Sequence, residues 1–318
     1  MHVRVMPHMG VVAAVAGSRR RRLRYVTERR GFLATLLVSP AVLLIAALVG
    51  VPLVLAAYLS FTDAQAGSLT GRWIGLDNFR RALHDPIFRG ALWHTFLFTV
   101  ISQIVVIVCA GLLAHALVHS FRGRWFLRFL VLLPWAAPIA LTAIGFLWFY
   151  DPQASIFNWF LIKLHIVDPQ HVPNWLGTPK AAMSSIITVQ AWRTIPFAVV
   201  IFIAGISSIP PEVDDAAAMD GATGLRKFWY VSLPLQLPIA VVAILFGIIF
   251  TATDMVVPFI LTNGGPFNST QVLTTYAFQT GINAGNIGEG AAIALFMLPV
   301  LAFVAIGMLV FARRAEVT

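Results

Sequence analysis

Ile209-Pro210-Pro211-Glu212-Val213-Asp214-Asp215-Ala216-Ala217-Ala218-Met219-Asp220-Gly221 is a polar stretch between two long apolar runs, and it is built like a helix. Pro210 and Pro211 suit a first helical turn, where the missing N–H groups would have had no partner anyway. Glu212, Asp214 and Asp215 sit at the positive end of the helix dipole. Ala216, Ala217 and Ala218 are strong helix formers with almost no side chain. Gly221 permits the left-handed turn that ends a helix. A short, smooth helix tied on both sides to membrane spans is a handle, because it can seat in a groove of another protein. The bland alternative is an ordinary surface helix in a membrane loop.

The surrounding composition places that helix beside a bilayer. The chain has 318 residues, 59% hydrophobic and 11% charged, whereas soluble domains carry about 25% charged residues. A mean hydropathy of +0.84 cannot be hidden in one globular core of this size. The class is integral membrane, and soluble enzyme classes drop out. The net charge of +9 sits in loops flanking apolar runs. It therefore points to anionic lipid and topology control, with no role in nucleic-acid binding.

Six apolar stretches are long enough to cross the hydrocarbon as helices, near 32–60, 92–119, 126–149, 184–209, 236–262 and 290–312. The expected fold is all-α, with no alternating pattern of barrel strands. Lys and Arg set the orientation. Fifteen fall in the N-terminal segment, around 122–128, at Arg226 and Lys227, and at Arg313 and Arg314. Six fall on the other side, and Arg193 lies within a span. Both termini and the 210–235 loop are therefore expected in the cytoplasm. The expected organisation is a basic cytoplasmic segment 1–31, a transmembrane domain 32–312 and a tail 313–318. Glu28-Arg29-Arg30-Gly31-Phe32-Leu33 looks like a twin-arginine export signal, but the apolar run after it is far longer than a signal core, so it reads as a retained first span.

Outside the spans, residues 75–83 alternate apolar and charged side chains like an interfacial helix, and 263–289 is rich in Gly, Asn and Thr. Prolines interrupt almost every span. Such breaks need neighbouring helices or water to satisfy the freed carbonyls, which suits kinked helices around a polar path. Inside the spans, Arg193 and Asp254 are expensive unless they are paired or face water. Either they line a solute path or they pair with each other or with a partner subunit. Gln190 and Gln103 are further polar candidates for the path. Trp192 and Phe197 either stack on a ring-shaped solute or simply pack. The histidines show no metal spacing, and Cys109 is the single cysteine, so no metal site and no covalent catalysis are expected.

At this point the residues resemble a family. Asp215-Ala216-Ala217-Ala218-Met219-Asp220-Gly221-Ala222, followed by Phe228 and Leu233-Pro234, is similar to the EAA loop of ABC-importer permeases. Leu261-Thr262-Asn263-Gly264-Gly265-Pro266 with Ser269-Thr270 is similar to the segment after the fifth span in carbohydrate-uptake permeases of the maltose-permease type. Gly75-Leu76-Asp77-Asn78-Phe79, Leu133-Pro134 and Trp192 with Pro196-Phe197 are weaker matches, and together the matches cover about 30–312. The family's leading Glu is Asp215 here, one methylene shorter, and Glu212 or Asp214 stands close enough to share its role.

The resemblance implies a bacterial inner-membrane, multi-pass subunit of a binding-protein-dependent importer for a sugar or sugar-like solute. It implies a second, homologous permease in a heterodimer, two ATP-binding subunits, and an extracytoplasmic solute-binding protein. Glu212, Asp215, Ala216, Ala217, Asp220 and Gly221 would then be the ATPase-coupling residues of a coupling helix between spans four and five. The sequence lacks Gly-x-x-x-x-Gly-Lys-Ser/Thr, so ATP and its Mg are expected on the partner chain, this chain needs no cofactor, and it is no enzyme. The competing reading is a carrier working alone, with Asp254 as its proton or ion site. Arg193 leans the solute towards an anionic or strongly hydrogen-bonding group.

Overall fold

The computed structural model describes residues 30–68, 70–222 and 224–316. The basic segment before Arg30, the side chain of Asp214 and those of Arg313 and Arg314 lie outside the described residues. The chain divides into two units, Met1–Tyr58 and Leu59–Thr318. Among the described residues the structure is helical, and β-structure is limited to two isolated bridges, Thr62 with Trp73 and Gln65 with Ser68.

The first apolar run forms α1 (Arg30–Ile45) and α2 (Val51–Ser60), joined through a π-helical turn, Ala46–Gly50. Val51 N–H bonds the Ala46 carbonyl, one residue further back than in an α-helix. A second π-turn, Phe228–Ser232, leads into the fifth apolar helix, and Leu233 N–H bonds Phe228 there in the same way. In both places a proline, Pro52 or Pro234, stands two residues after the turn. A proline ring cannot donate and crowds the carbonyl four residues back. Widening the preceding turn relieves that crowding without ending the helix.

The second unit begins with a braced turn. Asp63 accepts from Arg72 Nε at 3.0 Å, and Asn78 Nδ2 donates to the carbonyls of Ser60 and Thr62 at 2.8 Å each. The interfacial helix expected at 75–83 is α3 (Asp77–His84). The second span is α4 (Pro86–Val118), started by Pro86 at its first position and by Asp85, whose carboxylate accepts from Ile87 N–H at 2.8 Å. Tyr276 donates its hydroxyl to the other oxygen of Asp85. Burial and the adjacent carboxylate both push that phenol above its ordinary value.

The stretch expected as one span at 126–149 is two helices, α5 (Arg124–Ala136) and α6 (Ile139–Phe149), bent by 100°. Ala137 is extended (ψ 138°) because it precedes Pro138, whose ring excludes the helical conformation at the preceding residue. Short α7 (Ile156–Lys163) follows. The fourth span is α8 (Pro179–Ser207), again opened by a proline. The expected fifth span, 236–262, is also corrected. Its helix α11 (Leu233–Ala252) ends ten residues early, and Val256–Thr262 is a separate helix, α12. After α13 (Leu273–Phe278), the last apolar run is α14 (Ile287–Leu295) and α15 (Met297–Glu316). Among the described residues, five helices are long and apolar enough to cross a membrane, or six if the bent α5–α6 pair is one span.

Small residues let these helices approach closely. Ala110 and Ala114 of α4, Ala191 and Ala198 of α8 and Ala243 of α11 are buried in one cluster with Val106 and Phe202. In lipid, close van der Waals packing of this kind replaces the hydrophobic drive of a soluble core. A second cluster joins Phe98, Phe146, Ile186, Val257 and Leu261. A third joins Phe88, Ala91, Leu273 and Ile293. Gly290 of α14 lies against Gly281, so closely that a Cβ there would meet the glycine backbone and the Ala277 carbonyl.

Candidate functional site

Pro211–Met219 is the helix read from the opening stretch, here α9. Pro210 is its N-cap and Pro211 its first residue, as expected. Its end is a Schellman motif: Gly221 N–H bonds the Ala218 carbonyl at 3.0 Å, and Ala222 N–H bonds Ala217 at 2.8 Å. Gly221 adopts φ +72°, which closes the motif at no steric cost. Three residues, 208–210, separate α9 from α8. Beyond it, α10 (Gly224–Lys227) runs through the π-turn into α11.

The surface of α9 is one-sided. Ala217 is buried, whereas Glu212, Asp215, Ala216, Asp220 and Gly221 are exposed. The six residues expected to act together thus lie on one helix and its stop, with only Ala217 turned inward. The sequence reading missed Met219, which is 88% exposed beside the alanines. No sequence signal singles it out, because its exposure depends on which face of α9 the rest of the protein covers.

The second cluster lies midway along α8. Arg193 Nη2 donates to Asp254 Oδ2 at 2.6 Å and to Gln190 Oε1 at 3.3 Å. Gln190 Nε2 donates to Thr251 Oγ1 at 3.3 Å. Asp254 stands in the break between α11 and α12, not inside a span. Its Oδ1 accepts from Val256 N–H at 2.7 Å and Val257 N–H at 3.2 Å, so it satisfies the first orphan donors of α12. Thr274 Oγ1 donates to the Asp254 carbonyl at 3.0 Å. The Asp254 side chain is 3% exposed and that of Arg193 is 19% exposed, so the guanidinium keeps an open edge. Arg193 Nε is buried and finds no hydrogen-bond partner among the described residues.

Three of the four expected path residues, Arg193, Asp254 and Gln190, are therefore brought together. Thr251 and Thr274 join them unannounced, although Thr251 is three residues before Asp254. Gln103 is not in the cluster. Its amide faces Gly247 of α11, where neither its oxygen nor its nitrogen has a partner, in an apolar crevice of about 440 Å³ that also takes in Thr99, Ile248 and Met297. The aromatics pack on each other. Phe197 stacks on Trp135 with centroids 5.1 Å apart, and Trp192 meets Phe146 edge-on at 5.4 Å. Among the described residues no group of three His, Cys, Asp or Glu side chains is placed to hold a metal ion.

Residues 106–317 match the sequence profile of the family described as binding-protein-dependent transport system inner membrane component. The chain is 31% identical over 266 residues to the sulfoquinovosyl glycerol transport system permease protein SmoG of Agrobacterium fabrum, covering 83% of this chain and 85% of that protein. It is 33% identical over 223 residues to the trehalose/maltose transport system permease protein MalF of Thermococcus litoralis, covering 70% and 74%. Its fold is similar to a chain of a bacterial ABC transporter involved in the import of the acidic polysaccharide alginate. That likeness has a TM-score of 0.76 at 20% identity and covers 92% of this chain and 99% of that one.

Proposed function

The chain belongs to the family of binding-protein-dependent transport system inner membrane components, and on that premise we propose that residues 210–235 couple it to an ATPase while the Arg193 cluster lines its solute path. It is a multi-pass inner-membrane permease of a sugar-uptake ABC importer, a transport subunit and not an enzyme. The proposed assembly is a heterodimer with a second homologous permease, two ATP-binding subunits carrying ATP and Mg, and an extracytoplasmic receptor that delivers the solute. In it the bent α5–α6 pair is one span, giving six spans across 32–312, with the N-terminal segment and the 313–318 tail cytoplasmic.

One observation carries the coupling role: α9 is a nine-residue helix ended by a Schellman stop, with Met219 and the small faces of Ala216 and Ala218 turned outward. Apolar anchors on a rigid, exposed helix suit a groove in a partner. When the ATPases close, a seated α9 pulls on α8 and α11, which carry the two halves of the polar cluster. Arg193 and Gln190 ride on α8, and Thr251 and Asp254 on or beside the end of α11. Solute access and nucleotide state are then linked through the same two helices.

The pairing also shapes the solute. The charge of Arg193 is matched by Asp254, so the cluster offers donors and acceptors without a net charge, which suits hydroxyl groups better than the anionic solute that Arg193 alone suggested. The lone-carrier reading is disfavoured because both Asp254 oxygens are already engaged.

The test is coupled transport in proteoliposomes containing the full complex. Deleting residues 212–221, or replacing Gly221 with Trp, should leave ATP hydrolysis by the assembled or freed ATPase but cut uptake by roughly tenfold or more, the loss of a coupling energy of about 1–3 kcal/mol. Unchanged uptake would remove α9 from the mechanism. Uptake by the chain without an ATPase, abolished by an uncoupler, would restore the carrier reading.

A further inference from the structure

A second binding feature lies where α4 ends and α5 begins, away from both sites above. No acidic residue occurs between Asp85 and Asp151, yet Arg122, Arg124 and Arg128 fall within seven residues of each other there. Two of them cap the end of α4: Arg124 Nη1 donates to the Val118 carbonyl at 3.1 Å, and Arg128 Nη2 to Leu117 at 2.9 Å. Arginines bonding the last carbonyls of a helix meet its negative end favourably. These bonds use one nitrogen of each guanidinium, and among the described residues no carboxylate pairs with any of the three. Arg128 Nε is buried and finds no partner among the described residues.

Directly beside Arg128 is an apolar crevice of about 200 Å³ between α4, α5 and α8, walled by Leu117, Val131, Leu132, Val200 and Ile203. Leu132 and Val200 are 42% and 50% exposed, so the crevice opens sideways, toward the surface that faces hydrocarbon in a spanning protein. Trp125 is 79% exposed and stacks with Phe129 at 6.3 Å, the kind of exposed aromatic pair found at headgroup level. The arrangement is amphiphilic in one direction: uncompensated guanidinium groups at one end, a hydrocarbon slot at the other, an aromatic pair at the boundary.

We propose that this crevice holds one acyl chain of an anionic phospholipid whose phosphate is bound by Arg128 and Arg124. Charge complementarity selects the headgroup, because the outer guanidinium edges of Arg128 and Arg124 bind phosphate through charge-assisted hydrogen bonds. The slot selects a lipid over a free anion. The site also has a regulatory position. Val200 and Ile203 lie on α8 within eleven residues of α9, so an occupied crevice braces the helix that carries the proposed handle. The lipid site itself does not depend on that handle being an ATPase contact.

The experiment uses the full chain purified with its co-purifying subunits, probed with spin-labelled phosphatidylglycerol against spin-labelled phosphatidylcholine in electron paramagnetic resonance. The expected result is an immobilised phosphatidylglycerol population in excess over phosphatidylcholine, reduced by roughly fivefold for each of Arg128→Gln and Arg124→Gln, the weight of one surface arginine near anionic lipid. Val200→Trp, which fills the slot and leaves both arginines, should lose the immobilised population as well. The proposal is overturned if phosphatidylglycerol shows no excess, or if Arg128→Gln and Val200→Trp both keep it. It is also overturned if inorganic phosphate at millimolar concentration displaces the lipid, which would make this a free-anion site. A crosslink from position 128 to a soluble subunit, with no lipid immobilised, would assign the arginines to a protein contact and equally overturn it.

Discussion

Arg193 and Asp254 are paired at the residue scale. Each alone in a span is a costly charge, and from sequence the pair could line a solute path or, the favoured alternative, lock the structure. The 2.6 Å contact, with Asp254 also holding two backbone N–H groups, makes the pair a structural element whatever else it does. Removing one member should destabilise strongly, because the other is left buried and unpaired. For Asp254→Asn or Arg193→Gln the expected loss is about 3–5 kcal/mol, and the double variant should cost less than the sum of the two. A double-mutant cycle on thermal unfolding in detergent checks this, and purely additive losses would contradict the pairing. Gly290 makes a second residue-scale case. A methyl group there would meet the Gly281 backbone, which cannot swing aside as a side chain can. Gly290→Ala should cost about 1–3 kcal/mol by overpacking. Gly111→Ala, with open space at its Cβ, should be neutral or slightly stabilising by helix propensity, and the same unfolding assay compares the two.

At the scale of elements, α9 was readable almost residue by residue. Proline at the start, alanines in the middle and glycine at the stop act within a few residues of one another, so no distant contact is needed to interpret them. The contribution of Met219 was not readable, since its exposure depends on which face of the helix the rest of the protein covers. Met219→Asp should weaken retention of ATPase subunits on the permease by roughly tenfold, the loss of one anchor worth more than about 1 kcal/mol, while Glu212→Gln should change it less. Subunit retention after dilution of the purified complex measures both. The two runs in which the helix breaks are also element-scale lessons. The break at Ala137-Pro138 follows from a rule about residues preceding proline, but the 126–149 run contains two prolines, Pro134 and Pro138, and only one of them ends a helix. Pro134 stays inside α5 and is buried. At the break after α11 the Asp254 side chain takes the first backbone N–H groups of α12, which hydropathy does not register.

At the scale of the whole molecule, the distribution of arginines and the apolar runs point to one orientation, with the 210–235 loop on the cytoplasmic side and 263–289 outside. In a chain with Cys109 replaced by Ala, a cysteine at the exposed Phe267 should react with a membrane-impermeant maleimide in intact cells. A cysteine at Asp220 should react only after permeabilisation. Reversed accessibility would invert the topology and remove α9 from any cytoplasmic partner.

Hydropathy, charge bias and local helix signals are properties of short windows, and they were enough to establish a membrane-spanning helical chain with a short helix between two of its apolar helices, and to set an expected orientation. Which polar groups meet was decided by tertiary structure alone. Gln190 and Thr251, or Arg193 and Asp254, are sixty-one positions apart. They are joined only because small residues on α4, α8 and α11 let those helices pack closely enough for side chains on α8 to reach the end of α11. Gln103, equally polar and equally central in its helix, was turned by the same packing toward Gly247 and away from the cluster. A pattern read along one helix gives the face a residue occupies, but not the neighbour that face will find.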